Sequence, residues 1–295
     1  MRLAFATDFH GSQKHYSQFL DHTRNERVDM AIVGGDLFPI ARPYEEMLRV
    51  QKQFAREILP ALLLSHRALG GCPIYLMPGN NDWHDAFLDL AKLDLAGLVA
   101  SAKPERIGIA GGYVLLTMPF VPPTPFGMKD FDRRDLAIEP CPGEPNPVFY
   151  SEAGEIRQAD IGTYLSQRPS IEEEIENLGI GTPDAEKCIC IMHSPPFRTG
   201  LDRTAEGLDV GSKAIRAAIT KHQPLLTLHG HIHEAPKVTG NFACRVGRTI
   251  SVNPGQRIKV MFAVIIDLDR PVVLRHTTMG ELTSDQLAQA WNAAQ

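Results

Sequence analysis

Five short polar segments of the sequence carry side chains that could bind metal ions, and each follows an apolar stretch of strand length. They are Asp8-Phe9-His10, Gly34-Gly35-Asp36, Gly79-Asn80-Asn81-Asp82, His193, and His229-Gly230-His231-Ile232-His233. Imidazole, carboxylate and amide oxygen ligands together suit manganese, iron or zinc. None of these segments contains cysteine, which argues against a structural zinc site of the cysteine type. The chemistry they indicate is that of a metal-dependent reaction.

Each segment alone has an ordinary explanation. A Gly-Gly-Asp sequence after a strand often forms only a turn, and a lone histidine such as His193 is more often a structural residue than a ligand. Coincidence would require five successive strand ends to present aspartate, histidine and asparagine by accident. Because ligands of α/β folds bind beyond the carboxyl ends of the strands, we interpret the five segments as one metal site.

The order of the segments resembles that of the calcineurin-like metallophosphoesterases, whose motifs run D-x-H, G-D, G-N-H-D/E, H and G-H-x-H. In this sequence the motifs stand at residues 8–10, 35–36, 79–82, 193 and 230–233. Asn253-Pro254-Gly255 also resembles a segment common in the family. The loop that begins at His193-Ser194, together with residues 79–82, resembles the Icc-related phosphoesterase branch.

The resemblance implies a four-layer α/β/β/α sandwich with mixed sheets and two divalent metal ions. The implied ligands are Asp8, His10 and His233 on one metal, Asn80, His193 and His231 on the other, and Asp36 as a bridge between them. The family nucleophile would be a bridging hydroxide, because two cations lower the pKa of water and clamp the oxygens of a phosphoryl displacement. Manganese, iron, zinc and nickel all remain candidates for the metals.

Position 81 departs from the family pattern. Asn81 stands where the family has a histidine that protonates the leaving oxygen or binds the phosphate, and Asp82 stands where an acid orients that imidazole. An amide has no proton to give near neutral pH, and Asp82 is expected to lose the partner that it orients. His84 is the candidate substitute for the missing acid. We therefore expect turnover of activated esters and little turnover of esters with poor leaving groups.

Three further residues are candidates for binding the substrate. Arg198 and Arg203 follow His193 in one loop, and an arginine is well suited to a phosphate group. A surface ion pair with Asp202 or Glu206 would explain the two arginines equally well. His229, next to the last motif, is predicted to support a ligand or to face the substrate.

A proline-rich stretch, residues 121–147, is predicted to form an irregular excursion that covers the metal site. Long loops without secondary structure are often lids or binding loops. Lys129, Arg133 and Arg134 would then reach an anionic substrate, whereas a loop packed far from the site is the alternative. Beyond the excursion, Ser170 and Glu173 form a capping box that begins an acidic helix over about residues 170–178.

The elements that must position these residues alternate along the first hundred residues, which indicates parallel strands with crossover helices. Strand-like apolar runs occur at residues 3–6, 30–33, 74–77, 113–118, 188–192, 225–228, 250–252 and 260–266. Helical periodicity occurs at residues 44–68, with a break near Pro60, and at 85–99, 212–222 and 284–293, with Ser284 as N-cap. The strand-rich last third favours a mixed α/β sandwich, and we expect residues 1–295 to form a single domain.

Composition narrows the function. The net charge is −5 and no basic stretch stands out, which argues against a nuclease or another nucleic-acid binder. No apolar run approaches the ~20 residues of a membrane helix. The cysteines lack a C-x-x-C spacing, and the chain begins with strand-like sequence rather than a signal peptide, so we expect a cytoplasmic protein with reduced thiols.

Two hypotheses follow from the sequence. The first is a dinuclear metal-dependent phosphoesterase that acts on a phosphodiester or an activated monoester. The second is a metal-binding scaffold or binding protein with little turnover, which Asn81 favours. The expected partner is a small phosphoester, with nucleotides among the candidates, and the oligomeric state stays open.

Overall fold

Apolar runs form the central strands of two mixed sheets in the computed structural model, which describes residues 1–93, 95, 97–141, 147–180, 185–269 and 272–293. The strands in that part are β1 (Arg2–Ala6), β2 (Met30–Gly34), β3 (Ile74–Met77), β4 (Leu98–Ala100), β5 (Glu105–Gly108), β6 (Val114–Met118), β7 (Val148–Glu152), β8 (Glu155–Ala159), β9 (Cys188–Met192), β10 (Leu226–Leu228), β11 (Ala243–Val246), β12 (Thr249–Val252), β13 (Val264–Asp267), β14 (Val273–His276) and β15 (Gly280–Thr283). The α-helices are α1 (Gln13–Asn25), α2 (Tyr44–Gln53), α3 (Leu59–Ala68), α4 (His84–Ala91), α5 (Ile161–Ser166), α6 (Ile171–Leu178), α7 (Lys213–His222), α8 (Ala235–Thr239) and α9 (Ser284–Ala293). None of these helices is long and apolar enough to cross a membrane.

The described strands form two large sheets and one hairpin. The first sheet has the order β15-β14-β13-β1-β2-β3-β4. Strands β1 to β4 are parallel, as the alternation of strands and helices predicts, and β13 to β15 add antiparallel strands beside β1. The second sheet has the order β11-β12-β10-β9-β6-β5, with parallel central strands and antiparallel edges. Strands β7 and β8 form a two-stranded antiparallel hairpin, and Phe149 of β7 also bridges to Met128.

Alternation along each strand sends side chains to both faces of its sheet. Leu3 and Phe5 of β1 pack in the core between the two sheets, whereas Ala4 and Ala6 pack against helices α1 to α4. The outer face of the second sheet packs against α6 and α7. The predicted four-layer α/β/β/α sandwich is therefore confirmed.

Two helical predictions were wrong in detail. The helix predicted over residues 85–99 ends at Ala91. Gly97 then adopts a left-handed φ of 79°, and the next residues pair with β3 as an edge strand instead of continuing the helix. The break predicted near Pro60 is a π-helical turn, Phe54–Ile58, and Pro60 lies in the first turn of α3, where proline is tolerated.

Helix and strand ends were predicted with mixed success. The capping box of Ser170 and Glu173 at the start of α6 is confirmed. Ser284 is not the cap of α9, because the Thr283 hydroxyl accepts the Gln286 N–H at 3.2 Å while Gln286 Oε1 accepts the Thr283 N–H at 2.8 Å. Of the apolar run predicted as a strand over residues 260–266, only the part from Val264 onward is a strand, β13.

The proline-rich excursion runs between β6 and β7, and residues 142–146 of it lie outside the described residues. Its described part contains isolated bridges but no named strand or helix. A buried ion pair stabilises it instead: Lys129 Nζ lies 2.6 Å from Asp132 Oδ2 and donates to the Thr124 carbonyl at 2.7 Å.

Candidate metal centre

Backbone hydrogen bonds bring the loops at the carboxyl ends of the strands together. The Asp8 N–H donates to the Gly35 carbonyl at 2.9 Å, which joins the loops after β1 and β2. The Gly230 N–H donates to the His193 carbonyl at 3.0 Å, which joins the loops after β9 and β10. The His231 N–H donates to both Asp8 carboxylate oxygens at 3.2 Å and so links the two sheets. The predicted ligands therefore gather at one edge of the sandwich.

Four of the predicted ligands form a tight cluster. Asp8, His10, Asp36 and His233 each offer a ligand atom within 4.8 Å of the others. His233 Nε2 lies 3.2 Å from Asp8 Oδ1 and 3.3 Å from His10 Nε2. Carboxylates and imidazole nitrogens that lie this close together suit a divalent cation.

The other three predicted ligands, Asn80, His193 and His231, lie beside this cluster. His193 Nε2 lies 3.4 Å from Asp36 Oδ1, whereas His10 Nε2 lies 3.8 Å from Asp36 Oδ2. Asn80 Oδ1 and His231 Nδ1 are 2.7 Å apart, and the rings of His193 and His231 are separated by 5.4 Å between centroids. The two oxygens of Asp36 thus face different histidines, which is the arrangement that a bridging carboxylate needs.

Unpaired nitrogen atoms show that these residues fit a metal. His193 Nδ1 donates to the Gly34 carbonyl at 2.9 Å, so the neutral form of the ring, which is the form that binds a metal, carries its lone pair on Nε2. That Nε2 is buried and makes no hydrogen bond of suitable geometry. A buried polar atom without a partner is costly, and a cation between His193 and the carboxylates would remove the cost.

Backbone strain concentrates at the same residues. Asp8, His10, Asp36 and His231 have φ values of 58°, 45°, 52° and 67°, in the left-handed region that residues other than glycine rarely adopt. Gly35 has a φ of 120°, and a Cβ atom there would collide with the His193 ring. Such strain persists where a functional geometry requires it, which supports a ligand role for these side chains.

Opposite charges set the protonation of the cluster. Burial is the largest influence on Asp36 and opposes its ionisation, but His193, His10 and the Asn81 amide together outweigh burial and hold the pKa of Asp36 well below its usual range. Burial alone would lower the pKa of His193 and that of His233, yet Asp36 and Asp8 outweigh it and raise both pKa values to about 9. Protons on these imidazoles supply positive charge between buried carboxylates, and a divalent cation would supply it in their place.

Asn81 and Asp82 both bind other parts of the site. The Asn81 side-chain amide donates to Asp36 Oδ2 at 2.7 Å, and its backbone N–H donates to Asp36 Oδ1 at 2.8 Å. The buried Asp82 carboxylate accepts three backbone N–H groups from the loops after β2 and β3, each at 2.9 Å. Burial and the nearby Asp36 raise the pKa of Asp82 to about 7. Asp82 therefore orients no imidazole, as expected, and instead joins the two loops through these backbone groups.

The structure does not bring His84 or His229 to the reacting centre. His84 lies at the start of α4 beside the Phe131 ring, 6.1 Å between centroids, and lines neither of the cavities that open on the ligand cluster. His229 is fully buried, with Nδ1 2.9 Å from the Met192 and Ser194 carbonyls and Nε2 2.8 Å from the Thr227 hydroxyl. Both nitrogens of His229 are thus occupied, so this residue stabilises the loops after β9 and β10 and does not face a substrate.

The two arginines predicted to bind phosphate lie elsewhere. Arg203 forms an ion pair with Asp209 through two hydrogen bonds of 3.0 and 3.1 Å. Arg198 is 74% exposed, and its Nε lies 3.9 Å from the same Asp209 carboxylate. The surface ion pair is therefore the observed arrangement, although its partner is Asp209 instead of Asp202 or Glu206.

Two cavities open on the cluster and share His10 and His233. The Asn81 cavity, of 670 Å³, is walled by residues 122–126 of the proline-rich excursion, by α2 and by the loop of residues 204–210. The Lys259 cavity, of 810 Å³, is walled by residues 256–260 and reaches Asp8. The predicted position of the excursion beside the metal site is confirmed for residues 122–126.

The cations of that excursion do not reach a substrate. Lys129 is buried in its ion pair with Asp132. The Arg133 guanidinium lies 4.1 Å from the centre of the Phe120 ring, and Arg134 is 3.8 Å from Glu173. The prediction that these cations contact an anionic ligand is wrong, because each already has a partner within the fold.

Buried amides that the sequence analysis missed hold the loops of the site. Gln51 of α2 accepts the Trp83 N–H at 2.7 Å and donates to the Asn81 carbonyl at 2.8 Å. Asn253 donates to the Gly230 carbonyl at 3.3 Å, next to the last pair of ligands. The family-like segment at residues 253–255 could have indicated Asn253, whereas no sequence pattern pointed to Gln51.

Two mixed sheets between helical layers, with carboxylates and imidazoles at the carboxyl ends of their strands, define the metallophosphoesterase class of fold. The family model described as calcineurin-like phosphoesterase matches residues 1–235. This chain therefore belongs to the calcineurin-like phosphoesterase family.

Solved structures with low sequence identity share the fold. A protein of Thermus thermophilus, TT1561, is 15% identical, with a TM-score of 0.55 over 96% of this chain and 97% of that chain. A dimetal phosphatase from Danio rerio is 11% identical, with a TM-score of 0.59 over 96% of this chain and 98% of that chain. No curated protein sequence matches the chain significantly.

Proposed function

We propose that this chain is a dinuclear metal-dependent phosphoesterase that hydrolyses a small phosphodiester or an activated phosphomonoester, with nucleotides among the candidates. The observation that carries the proposal is the position of Asp36, whose two oxygens lie 3.8 and 3.4 Å from His10 and His193. One metal would be held by Asp8, His10 and His233, the other by Asn80, His193 and His231, and both by Asp36.

Two bound divalent cations, from among manganese, iron, zinc and nickel, would lower the pKa of water and neutralise the charge of the phosphate. The residues of the chain position that chemistry. The Gly34 carbonyl fixes the His193 tautomer, and Asn81 offers an amide donor at every pH. Asn81 has no proton to release, so the leaving group departs on the stabilisation of its negative charge alone. This favours esters whose leaving groups are weak bases.

Metal analysis combined with an ester assay tests the proposal. The protein, purified without chelator and loaded with manganese, iron, zinc or nickel, is assayed with bis(4-nitrophenyl) phosphate. We expect two metals per chain and metal-dependent hydrolysis, and we expect Asp36→Asn to lose at least one metal and nearly all activity. Asp89→Asn is the matched control, because Asp89 pairs with Arg56 at 2.9 Å outside the cluster. One metal or none per wild-type chain would contradict the dinuclear site.

A second candidate function is a metal-binding scaffold or binding protein with little turnover. The observation that favours it is Asn81, whose amide donates to Asp36 in place of the family imidazole. Two bound metals without hydrolysis of any aryl ester would favour this function over the first.

A further inference from the structure

Exposed apolar side chains gather around the metal centre. Of the eleven large apolar side chains that are exposed in the described residues, six line the two cavities there. They are Ile40, Phe126, Leu208 and Val210 in the Asn81 cavity, and Ile258 and Val260 in the Lys259 cavity. Scattered exposed apolar residues need no explanation, whereas a group of them at one site indicates an apolar ligand.

The Asn81 cavity joins a floor of predicted metal ligands to an apolar wall. Its floor includes His10, Asn80, His231 and His233, and its wall comes from α2, the proline-rich excursion and the loop of residues 204–210. Its volume of 670 Å³ is within the ~300–1,000 Å³ of cavities that bury a small organic ligand. A phosphate on the floor would place an attached group against the wall.

Two polar residues of that wall contact neighbouring side chains. The Thr124 hydroxyl lies 2.9 Å from Asp132 Oδ2 and 3.0 Å from Lys129 Nζ. The Arg42 guanidinium lies 4.2 Å from the centre of the Tyr44 ring. Arg42 and Glu206 also line this cavity. The apolar part of the wall is therefore the part formed by Ile40, Phe126, Leu208 and Val210.

The two cavities differ in charge. Lys237, Arg257 and Lys259 line the Lys259 cavity, with Glu234 shared between the two. If the substrate has a second anionic group, the positive surface of the Lys259 cavity suits it. The Asn81 cavity then remains for an apolar group of the substrate.

We propose that the Asn81 cavity binds a bulky apolar group of the phosphoester substrate while the phosphate lies on the floor of the cavity. The proposal rests on the proposed function, because the phosphate has to be held by the metals. It narrows the substrate class to phosphoesters of large apolar alcohols.

Alkylphosphonates test the proposal, because each has one phosphonate group and one apolar arm. Methyl-, butyl- and octylphosphonate are titrated into the metal-loaded protein by calorimetry, below the concentration at which they aggregate. We expect Kd to fall about fourfold for each methylene that reaches the wall. The heat-capacity change of binding should become more negative with chain length.

Matched variants locate the effect. Ile40→Ser combined with Phe126→Ser removes apolar side chains from the wall and should raise the Kd of octylphosphonate toward that of methylphosphonate. Leu64→Ser is the control, because Leu64 is 54% exposed like Ile40 but lies outside both cavities. A Kd that does not depend on chain length, or a dependence that survives in the wall variant, would overturn the proposal.

Failure of the proposed function gives a different result from failure of the apolar cavity. If methylphosphonate shows no metal-dependent binding and bis(4-nitrophenyl) phosphate is not hydrolysed, both proposals are refuted. Metal-dependent binding of methylphosphonate without any gain from a longer chain would refute the apolar cavity alone.

Discussion

Replacing Asn81 by histidine should raise the hydrolysis rate selectively for phosphoesters with poor leaving groups. Position 81 is within reach of the reaction, because the Asn81 amide lies 2.7 Å from Asp36 Oδ2 and lines the cavity beside the metal ligands. An imidazole there could donate a proton to a departing alkoxide. General acid catalysis typically contributes ~10²–10⁴ in rate.

The structure places the expected gain at the lower end of that range or below it. In the family pattern the next acid orients the imidazole, but Asp82 here accepts three backbone N–H groups at 2.9 Å. Releasing one of these buried donors would cost ~1–3 kcal/mol, which is roughly 5- to 150-fold. Asp82 will therefore keep its present hydrogen bonds. An imidazole at position 81 without an orienting acid should raise the hydrolysis rate by a factor of about 10–10².

The assay compares two leaving groups on one enzyme. We would measure kcat/KM for methyl 4-nitrophenyl phosphate and methyl phenyl phosphate with the wild-type protein, Asn81→His and Asn81→Gln. The histidine variant should hydrolyse the phenyl ester about 10–10² faster than the wild type and change the nitrophenyl rate little. The gain should fade above about pH 6.5, where imidazole loses its proton. Equal gains for both esters, or the same gain with glutamine, would refute the reasoning.

Three further predictions concern stability. Lys129→Met should lower the free energy of unfolding by about 3–5 kcal/mol in urea titrations, because it leaves the Asp132 carboxylate buried without its cation; a loss below about 1 kcal/mol would contradict this. Burial raises the pKa of Asp130 to about 6, so the protonated carboxyl stabilises the fold. This contribution is complete below the usual pKa of aspartate and is lost as the pH rises through about 6. Asp130→Asn should remove this pH dependence of the unfolding free energy, and the same pH dependence in the variant and the wild type would argue against the raised pKa. Metal at 100 times its Kd should stabilise the fold by about 2.7 kcal/mol and raise Tm, an effect that a chelator reverses and that Asp36→Asn lacks.

The sequence predicted the residues at the strand ends because two simple rules act there. Apolar runs such as β3 and β9 identify buried strands, and their carboxyl ends meet in α/β folds. Asp8, Asp36 and His193 could therefore be assigned to one site before any distance was known. The same rules place Asn81 in the site, whereas only the resemblance to the family pattern shows that a histidine is missing there.

Side-chain partners across the fold could not be predicted in this way. Lys129 and Arg203 were predicted to contact an anionic substrate because both are cations near the predicted site. In the folded chain each pairs with a carboxylate instead. His229 alternates with His231 along the chain, but the turn at Gly230 sends it into carbonyl groups of the neighbouring loop. The helix predicted over residues 85–99 failed because edge pairing with β3 outweighed a helical pattern.

Backbone strain bears on whether the predicted ligands bind metal at all. Four predicted ligands hold left-handed φ values, at a cost of roughly 1–2 kcal/mol for each residue. That cost is a large fraction of the ~5–15 kcal/mol by which a typical domain is stable, and the fold sustains it at the metal centre. A chain that bound no metal would gain from relaxed turns at these positions. The strain therefore argues that the metal ligands act as ligands, whatever the rate of turnover.

The leaving group is then the feature that Asn81 and the apolar cavity constrain together. An amide at position 81 requires a leaving group that departs without a proton, and the wall containing Phe126 and Leu208 favours an apolar group beside it. A simple alkyl alcohol is apolar but does not depart without a proton. A phosphate leaving group, as in a pyrophosphate, departs without a proton but is not apolar. A phenol with an electron-withdrawing substituent meets both, because its oxyanion is a weak base and its ring can pack against the wall. Faster hydrolysis of aryl esters than of alkyl esters of equal apolar area is the result that this argument requires.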